Sequence, residues 1–336
     1  TGSVVASQEP DKQVAPASLT KLMSAYVIFS YLKADQFTLD DTVTVSSKAY
    51  RTPGSRMFIE QNAKVRVGDL IQGMIVQSGN DASVALAEFV AGTEAAFAEL
   101  MNNFAAKLGM SGSHFQNATG LPGDNHVSTA RDMATLARAI IAEFPEFYAW
   151  YSQREYTYAG IRQQNRNRLL WRDSTVDGMK TGHTDAAGYC LVSSAKRNDM
   201  RLIAALMGAR SGKARIDASQ ALLNYGFRFY ETRQLYAGGE PIRRVRAWKG
   251  ASEELALGTA GDVYVTVPRG RFDELEARVE LPSTIFAPVT VGDPLGELVV
   301  SHGDERLAKT ALIALNEVAE GSLWQRLTDE VSLWFE

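Results

Sequence analysis

The chain has 336 residues, of which 45% are hydrophobic and 22% are charged, so its length and composition allow two globular domains with separate cores. Its formal net charge is −4, from 35 basic and 39 acidic residues, which gives no basic excess to neutralise nucleic-acid phosphates. The 4 histidines are spread apart and Cys190 is the single cysteine, so neither a metal site nor another cofactor is expected. No apolar run is long enough to span a bilayer.

Along the first two thirds of the chain, apolar spacing and turn residues predict helices interrupted by short strands. Residues 1–6 are expected to form the turn and second strand of a hairpin whose first strand precedes the chain. A helix is predicted over 18–33, beginning after Pro16, and another is capped by Ser128 and stopped by Pro145. The predicted helices cover 18–33, 81–90, 94–108, 129–144 and 213–225, and the predicted strands cover 42–46, 155–159, 188–195 and 201–207.

The strands at 188–195 and 201–207 are joined by a turn at 197–199, which predicts an antiparallel hairpin. The first domain is therefore expected to be α+β, with helices beside an antiparallel sheet rather than alternating βαβ units. From about residue 231 the pattern changes to short strands between turn residues, which predicts a small all-β domain. Its predicted strands cover 263–267, 275–281, 288–291, 295–300 and 307–315.

The tail, residues 321–336, has an amphipathic helical pattern. Its polar face carries Arg326 together with Asp329 and Glu330, which is unfavourable at an anionic membrane, although Trp and Phe suit an interface. Binding to a membrane surface and packing on the protein or a partner therefore both stay open. The residues of the apolar face are Leu323, Trp324, Leu327, Val331, Trp334 and Phe335.

Three short motifs follow one another in the first predicted domain. They are SLTK at 18–21, of the form S-x-x-K; SGN at 78–80, of the form S-x-N; and KTG at 180–182. S-x-x-K also occurs at 30–33 and 193–196, where surface positions are the simplest interpretation, so no motif is specific alone. The ordered combination is specific, because class A β-lactamases and penicillin-binding proteins share it.

The first motif places a hydroxyl beside an amine. Ser18 and Lys21 are three residues apart, so on a helix they lie one turn apart on the same face. The helix N-terminus favours negative charge developing on Ser18. Lys21 can act as a base only when neutral, and burial together with a second ammonium, Lys180, would lower its pKa. The alternative is an ordinary capping serine and a solvated lysine.

The second motif precedes a helix, so its side chains can project from a loop into a cleft. Ser78 can relay a proton to a leaving amine, and Asn80 can hydrogen-bond a substrate amide. A turn with an Asn-Asp helix cap is the structural alternative.

The third motif suits the binding of a terminal carboxylate. Lys180 and Thr181 offer an ammonium and a hydroxyl, and Gly182 leaves room for a ligand backbone along a strand edge. The backbone N–H of His183 can join that of Ser18 in an oxyanion hole. A plain surface strand end is the alternative here.

With these motifs in view, the chain resembles the low-molecular-mass penicillin-binding proteins, and among them the D-alanyl-D-alanine carboxypeptidases of Gram-negative bacteria. The resemblance lies in PASLTK (16–21), QSGND (77–81), NRN (165–167), LLW (169–171) and DGMKTGHTD (177–185). It extends to residues 225–229, to 263–270 and to the terminal helix, and so covers nearly the whole chain.

The resemblance implies a penicillin-binding serine peptidase domain at 1–229, a β-rich domain at 230–319 and an amphipathic helix at 320–336 that attaches to the membrane. It implies a periplasmic enzyme, peripheral to the outer face of the inner membrane, that removes the terminal D-alanine of peptidoglycan pentapeptides and is acylated by β-lactams. Arg166 and Arg215 match family positions that help to hold the substrate carboxylate.

Four other interpretations stay open from the sequence. A class A β-lactamase has the same motifs, but its usual E-x-x-L-N loop is not found here and a whole β-domain would be surplus. A D,D-endopeptidase would share the chemistry. A β-lactam-sensing domain would be acylated without turnover, and a binding module would carry the motifs by accident.

Overall fold

A long buried helix forms the centre of the first of two units in the computed structural model, which describes residues 1–333. This unit comprises Gly2 and Val4–Phe227, and the second comprises Thr1, Ser3 and the chain from Arg228. The central helix, α1, spans Thr20–Lys33, and 11 of its 14 residues are buried. A helix that is apolar on all sides belongs in a core rather than at a surface.

The other elements of the first unit surround this helix. A 3-10 turn at Ala17–Leu19 precedes it, and a π-helical turn at Gly73–Gln77 lies further along the chain. The helices that follow are α2 Ser47–Arg51, α3 Val67–Gln72, α4 Asn80–Ala91, α5 Glu94–Lys107, α6 Ala130–Glu143, α7 Pro145–Tyr148, α8 Leu169–Arg172 and α9 Gly212–Phe229. The strands are β1 Thr42–Thr44, β2 Lys64–Arg66, β3 Glu155–Tyr158, β4 Ile161–Gln164, β5 Val176–Thr184, β6 Gly188–Arg197 and β7 Met200–Ala209.

The main sheet of this unit is antiparallel, in the order β5-β6-β7. The predicted hairpin is its β6–β7 pair, with Asn198 at the turn in a left-handed conformation (φ 52°). The strand β5 was not predicted, although it carries the K-T-G motif. It is buried along most of its length, so it lacks the polar alternation that marks an exposed strand.

The second unit is all-β with one helix. Its strands are β8 Tyr230–Tyr236, β9 Arg243–Arg246, β10 Glu254–Gly258, β11 Val263–Pro268, β12 Leu275–Glu280, β13 Pro294–His302 and β14 Glu305–Ala314. Five of them form a sheet in the order β12-β13-β14-β10-β9, and β11 pairs with β8. The helix α10 spans Leu323–Ser332 and begins with a capping box at Ser322. The predicted fold class, an α+β domain followed by an all-β domain and a C-terminal helix, is confirmed.

Several local predictions were wrong. Residues 1–6 are irregular rather than a strand. The first α-helix begins at Thr20 rather than Ser18, and Thr129, not Ser128, caps α6. Residues 288–291 contribute only an isolated bridge at Val289.

Two further findings concern helix ends and the tail. Pro145 does not merely stop a helix but occupies the first turn of α7, where proline costs no hydrogen bond. The predicted apolar positions Trp334 and Phe335 lie outside the described residues. Within residues 1–333, no helix is both long and apolar enough to cross a membrane.

Candidate active site

The hydroxyl of Ser18 lies on the tight turn that leads into α1. The N–H of Leu19 donates to the carbonyl of Pro16 (3.1 Å), and Ala17 has a left-handed backbone (φ 47°). Gly120 makes this turn possible, because a Cβ at that position would lie 1.8 Å from the Ala17 carbonyl oxygen. The position of the Ser18 turn thus depends on a close backbone approach that only glycine permits.

Lys21 brings its amine to this hydroxyl. It is 1% exposed, and its Nζ lies 3.2 Å from Ser18 Oγ. The same Nζ donates to Asn80 Oδ1 (2.7 Å) and to the carbonyl of Thr119 (2.6 Å). A neutral amine has two N–H bonds and one lone pair. If both N–H bonds serve Asn80 and Thr119, the lone pair is left for the proton of Ser18.

The electrostatics favour that neutral form. Burial and then the positive charge of Arg166 lower the pKa of Lys21, the charges of Asp81 and Glu94 oppose this shift, and the resulting pKa is about 7. Near neutral pH, a substantial fraction of this amine is therefore unprotonated.

The second motif follows the π-helical turn. Ser78 adopts a left-handed conformation (φ 66°), and its Oγ is buried without a hydrogen-bond partner among the described residues. A buried hydroxyl that bonds to nothing calls for a functional explanation. Arg166 lies nearby, with its Nε donating to the carbonyl of Gln77 (3.1 Å).

Asn80 is bound on both sides within the protein. Its Oδ1 accepts from Lys21, and its Nδ2 donates to the carbonyl of Pro53 (2.6 Å). An amide has two donors and two acceptor sites, so one of each is left for a ligand. Its predicted contact with a substrate amide stays a prediction.

The third motif lies within β5, against the turn that carries Ser18. A Cβ at Gly182 would lie 2.9 Å from the carbonyl of Pro16 and 3.2 Å from the amide of Leu19. Lys180 is 3% exposed, and its Nζ donates to the carbonyl of Thr181 (3.1 Å). Its pKa is lowered well below the usual range by burial and then by the positive charges of Lys21, Arg166 and Arg215.

Arg215 reaches this strand from α9. Its Nη1 donates to the carbonyls of Gly182 (3.2 Å) and Cys190 (3.3 Å). The exposed imidazole of His183 lies on the ring of Tyr189, with centroids 4.0 Å apart, and Arg215 lies 5.6 Å from the same ring. The guanidinium groups of Arg166 and Arg215 therefore place positive charge beside the second and third motifs, which favours the binding of an anion there.

The structure therefore brings the predicted residues together. Lys21 contacts both Ser18 and Asn80, and Gly182 packs on the turn that carries Ser18. Arg166 and Arg215 are bound to the backbone beside the second and third motifs. The imidazole of His183 packs on Tyr189, and the predicted part of the His183 backbone N–H in an oxyanion hole stays a prediction.

Several contributing residues were missed at the sequence level. Thr119 offers only its carbonyl, which any residue could supply, so no side-chain pattern marks it. Asn117 shapes that loop, with its Oδ1 accepting from the amides of Thr119 (3.1 Å) and Gly120 (2.8 Å). An asparagine three residues before a glycine is a turn signal that could have been recognised.

His126 is a further missed residue, at the base of α1. It is 3% exposed, and its Nε2 lies 2.8 Å from Thr20 Oγ1. Because the amide of Gln116 donates to its Nδ1 (3.1 Å), Nε2 carries the proton of the neutral ring. Burial lowers the pKa of His126 to about 4.

The α+β fold and a serine hydroxyl beside a buried amine define the class of serine acyl-transfer enzymes. The sequence profile described as D-alanyl-D-alanine carboxypeptidase (peptidase S11) matches residues 1–211, and that of the penicillin-binding protein 5 C-terminal domain matches 230–320. The chain therefore belongs to the D-alanyl-D-alanine carboxypeptidase family of penicillin-binding proteins.

Individual relatives agree with this assignment. The chain is 42% identical to D-alanyl-D-alanine carboxypeptidase DacA of Escherichia coli strain K12, over 100% of this chain and 85% of that protein. It is similar to the crystal structure of penicillin binding protein 5 from Haemophilus influenzae, with a TM-score of 0.87, 39% identity and coverage of 95% and 94%. The ampicillin-bound penicillin-binding protein D2 of Listeria monocytogenes matches at a TM-score of 0.61 and 33% identity, over 66% of this chain and 90% of that one. The prediction of a serine-type D-alanyl-D-alanine carboxypeptidase is confirmed.

Proposed function

We propose that Ser18 is the nucleophile that attacks the carbonyl between the two terminal D-alanines of a peptidoglycan pentapeptide, with Lys21 as its base. The observation that carries the proposal is the buried Lys21 amine, whose Nζ lies 3.2 Å from Ser18 Oγ while two acceptors occupy its N–H bonds. Lys21 takes the hydroxyl proton as the Ser18 Oγ–carbon bond forms. The N–H groups of Ser18 and His183 stabilise the oxyanion.

In the next step the carbon–nitrogen bond breaks and D-alanine leaves. Ser78 and a lysine deliver the proton to its amine, which gives the unpartnered buried Ser78 Oγ a role. The leaving residue is bound through its carboxylate by Lys180 and Thr181, with Arg166 and Arg215 adding positive charge, and Gly182 leaves room for its backbone. Water then hydrolyses the Ser18 ester and restores the enzyme.

β-Lactams would follow the first half of this path. A β-lactam presents a reactive amide and a carboxylate at the positions of the dipeptide, so Ser18 Oγ is the atom that would be acylated. The Listeria relative has been crystallised in an ampicillin-bound form. The same subsite for the carboxylate serves both ligands.

We also propose a periplasmic protein attached peripherally to the outer face of the inner membrane, and an exposed helix of the second unit supports the attachment. The apolar face of α10 is unburied, with Leu323 76% and Trp324 79% exposed. Asp329 faces the other way, since its carboxylate accepts from Arg246 Nη2 (2.7 Å) and from the amide of Lys249. Glu330, the other acidic residue of the polar face, forms an ion pair with Lys249. Both carboxylates thus have basic partners, which weakens their repulsion of an anionic surface.

One experiment tests the proposed chemistry. The purified protein is incubated with a fluorescent penicillin and, separately, with diacetyl-lysyl-D-alanyl-D-alanine, alongside Ser18→Ala. Labelling and D-alanine release are both expected, and both should be lost in the variant. Ser30→Ala is a matched control from the other S-x-x-K sequence, because Ser30 only bonds within α1 to the carbonyl of Tyr26 (2.8 Å).

The remaining outcomes separate the alternatives. Rapid penicillin turnover without peptide cleavage would indicate a β-lactamase. Stoichiometric labelling without D-alanine release would indicate a sensor. With a cross-linked muropeptide dimer added as a third substrate, cleavage of the cross-link in preference to D-alanine release would indicate an endopeptidase. Unchanged labelling in Ser18→Ala would refute the assignment of the nucleophile.

A further inference from the structure

A loop before β2, residues 53–59 and here called the strap, runs without regular secondary structure against the second motif. Asn80 donates to two strap carbonyls. Its backbone N–H donates to the carbonyl of Ser55 (2.7 Å), and its side-chain Nδ2 donates to the carbonyl of Pro53 (2.6 Å). Gln163 Nε2 holds the strap from the other side through the carbonyl of Arg56 (3.0 Å). Since Nδ2 is fixed in this way, Asn80 Oδ1 has to face Lys21.

A single buried carboxylate binds the amides of the same strap. Asp81 has no exposed surface, and its Oδ1 accepts from the amide of Met57 (2.8 Å). Its Oδ2 accepts from the amides of Phe58 (2.9 Å) and Ile59 (3.4 Å). Arg56 Nε lies 3.8 Å from the same oxygen. Asp81 therefore fixes the half of the strap that Asn80 does not reach.

The strap conformation depends on this carboxylate. Phe58 has a left-handed backbone (φ 68°), which is unfavourable for a bulky residue, and its side chain is 48% exposed. Packing of the ring therefore does little to hold it. Met57 is buried against two glycines, since a Cβ at Gly73 would lie 2.2 Å from its Sδ and one at Gly79 would lie 3.1 Å from its amide. These glycines flank the turn that leads to Ser78.

We propose that Asp81 is a positioning residue for acylation. It acts through the strap to fix the side-chain amide of Asn80, and this amide directs the Lys21 amine toward Ser18. The inference rests on the proposed roles of Ser18 and Lys21. Asp81 touches neither of them. Replacing it by asparagine puts an NH2 group against backbone N–H donors, which removes two of the acceptor positions that the strap needs.

A through-space effect of the Asp81 charge predicts a different result. That charge raises the pKa of Lys21, against burial and Arg166, so its loss alone would lower this pKa. The acidic limb of the acylation profile would then move to lower pH, and its plateau would stay. The other charged or titratable groups that influence Lys21, which are Arg166, Glu94, Lys180 and His126, are unchanged by the substitution.

The test measures the second-order rate constant of acylation by a fluorescent penicillin between pH 5 and pH 9, together with the melting temperature. In Asp81→Asn the plateau is expected to fall about 100-fold, because a catalytic group is misplaced. The double variant Asn80→Ala with Asp81→Asn is expected to react about as slowly as Asn80→Ala alone, because both changes act through one amide. Gln163→Ala, which loosens the strap without disturbing the buried carboxylate, is expected to lower the plateau about 10-fold.

Asp132→Asn is the matched control. Asp132 is also buried (5% exposed), but its carboxylate holds Gly112 N (3.0 Å) and Ser113 Oγ (2.7 Å), which lie outside the strap. It should lower the melting temperature and keep the plateau. The proposal is overturned if Asp81→Asn keeps the plateau, with or without a shifted limb, or if its effect adds fully to that of Asn80→Ala. Because the readout is acylation, failure of the wild type to release D-alanine would count against the proposed substrate alone.

Discussion

The pKa values of single residues at this site, Lys21 and His126, are set by burial more than by their immediate neighbours in sequence. The amine of Lys21 and the imidazole of His126 both lie at the first turn of α1, and desolvation is the first cause of the lowered pKa of each. For Lys21 the result is an amine that is partly unprotonated near neutral pH, as its proposed role as a base requires. For His126 the result is a neutral ring that stays neutral in mildly acidic solution.

The acylation rate should follow the protonation of Lys21. With its pKa lowered to about 7, the neutral fraction falls about tenfold for each pH unit below that value, and the rate constant for penicillin labelling should fall with it. Arg166→Gln removes a charge that lowers this pKa, so the acidic limb should move to higher pH. Arg168→Gln is the control, because Arg168 bonds at the surface to Gln164 (3.0 Å). A limb that stays in place in Arg166→Gln would contradict this account of the pKa.

His126 should make the protein sensitive to acid. Its folded pKa is about 4 against 6.5 in the unfolded chain, so below pH 6.5 the unfolded state binds more protons and stability falls as the pH falls. Between pH 7 and pH 4 this group should cost about 3 kcal/mol of unfolding free energy. Urea unfolding at both pH values measures it. The loss between them should be smaller in His126→Gln by that amount, and equal losses in the two proteins would exclude the effect.

The sequence could predict which types of residue lie at the site, but not the environment of each one. The three motifs located Ser18, Lys21 and Lys180 because their chemistry requires those side chains. Thr119 was out of reach, because its part is played by a carbonyl, and Asp81 was passed over, because its partners are backbone amides 22 to 24 residues away in the chain. Contributions made through the backbone leave little trace in residue identity.

At the level of elements, periodic segments were predicted well and buried or irregular ones poorly. The amphipathic helix α6 was found to within a residue at each end, since its apolar positions recur with helical spacing. The buried strand β5 was missed because its sequence does not alternate between apolar and polar residues. The strands β8, β9 and β10 were also missed. Residues 288–291 look like a strand locally, but pair only through Val289.

The loop that supports the Ser18 turn offers a test at this scale. Gly120→Ala adds a Cβ that would meet the backbone of Ala17 at 1.8 Å, in a left-handed conformation (φ 82°). Penicillin acylation should fall about 100-fold and unfolding free energy by about 3 kcal/mol, because a backbone clash forces the Ser18 turn to move.

Gly109→Ala separates the clash from the cost of the conformation. Gly109 is also left-handed (φ 72°), but a Cβ there would meet nothing within 4 Å. The variant should lose about 1 kcal/mol and acylate at the normal rate. Equal acylation by the two alanine variants would show that the close approach at Gly120 does not hold the turn.

On the scale of the whole molecule, the site residues and the exposed helix α10 belong to different units. All the site residues belong to the unit that contains Val4–Phe227. The exposed apolar helix α10 belongs to the other unit, which has its own small cores around Leu257 and Leu298. Composition predicted this division, because a chain of 336 residues with two textures can form two cores. The direction of the α10 faces needed the structure, since it depends on Arg246 and Lys249, which are distant in sequence.

Membrane attachment should therefore depend on α10 and leave catalysis alone. Leu327 is 60% exposed and Trp324 79%, so replacing both by serine removes two side chains that would be buried in a lipid interface. At about 1.5 to 3 kcal/mol for each, binding to vesicles of phosphatidylglycerol and phosphatidylethanolamine should weaken by about 100-fold or more.

Thr328→Ala, on an exposed polar position of the same helix, should bind normally, and co-sedimentation of each protein with the vesicles measures the difference. Both variants should release D-alanine from the soluble tripeptide at the wild-type rate. If the serine variant still sedimented with vesicles, or if wild-type protein formed dimers that this variant could not, α10 would be a protein interface and the membrane proposal would fail.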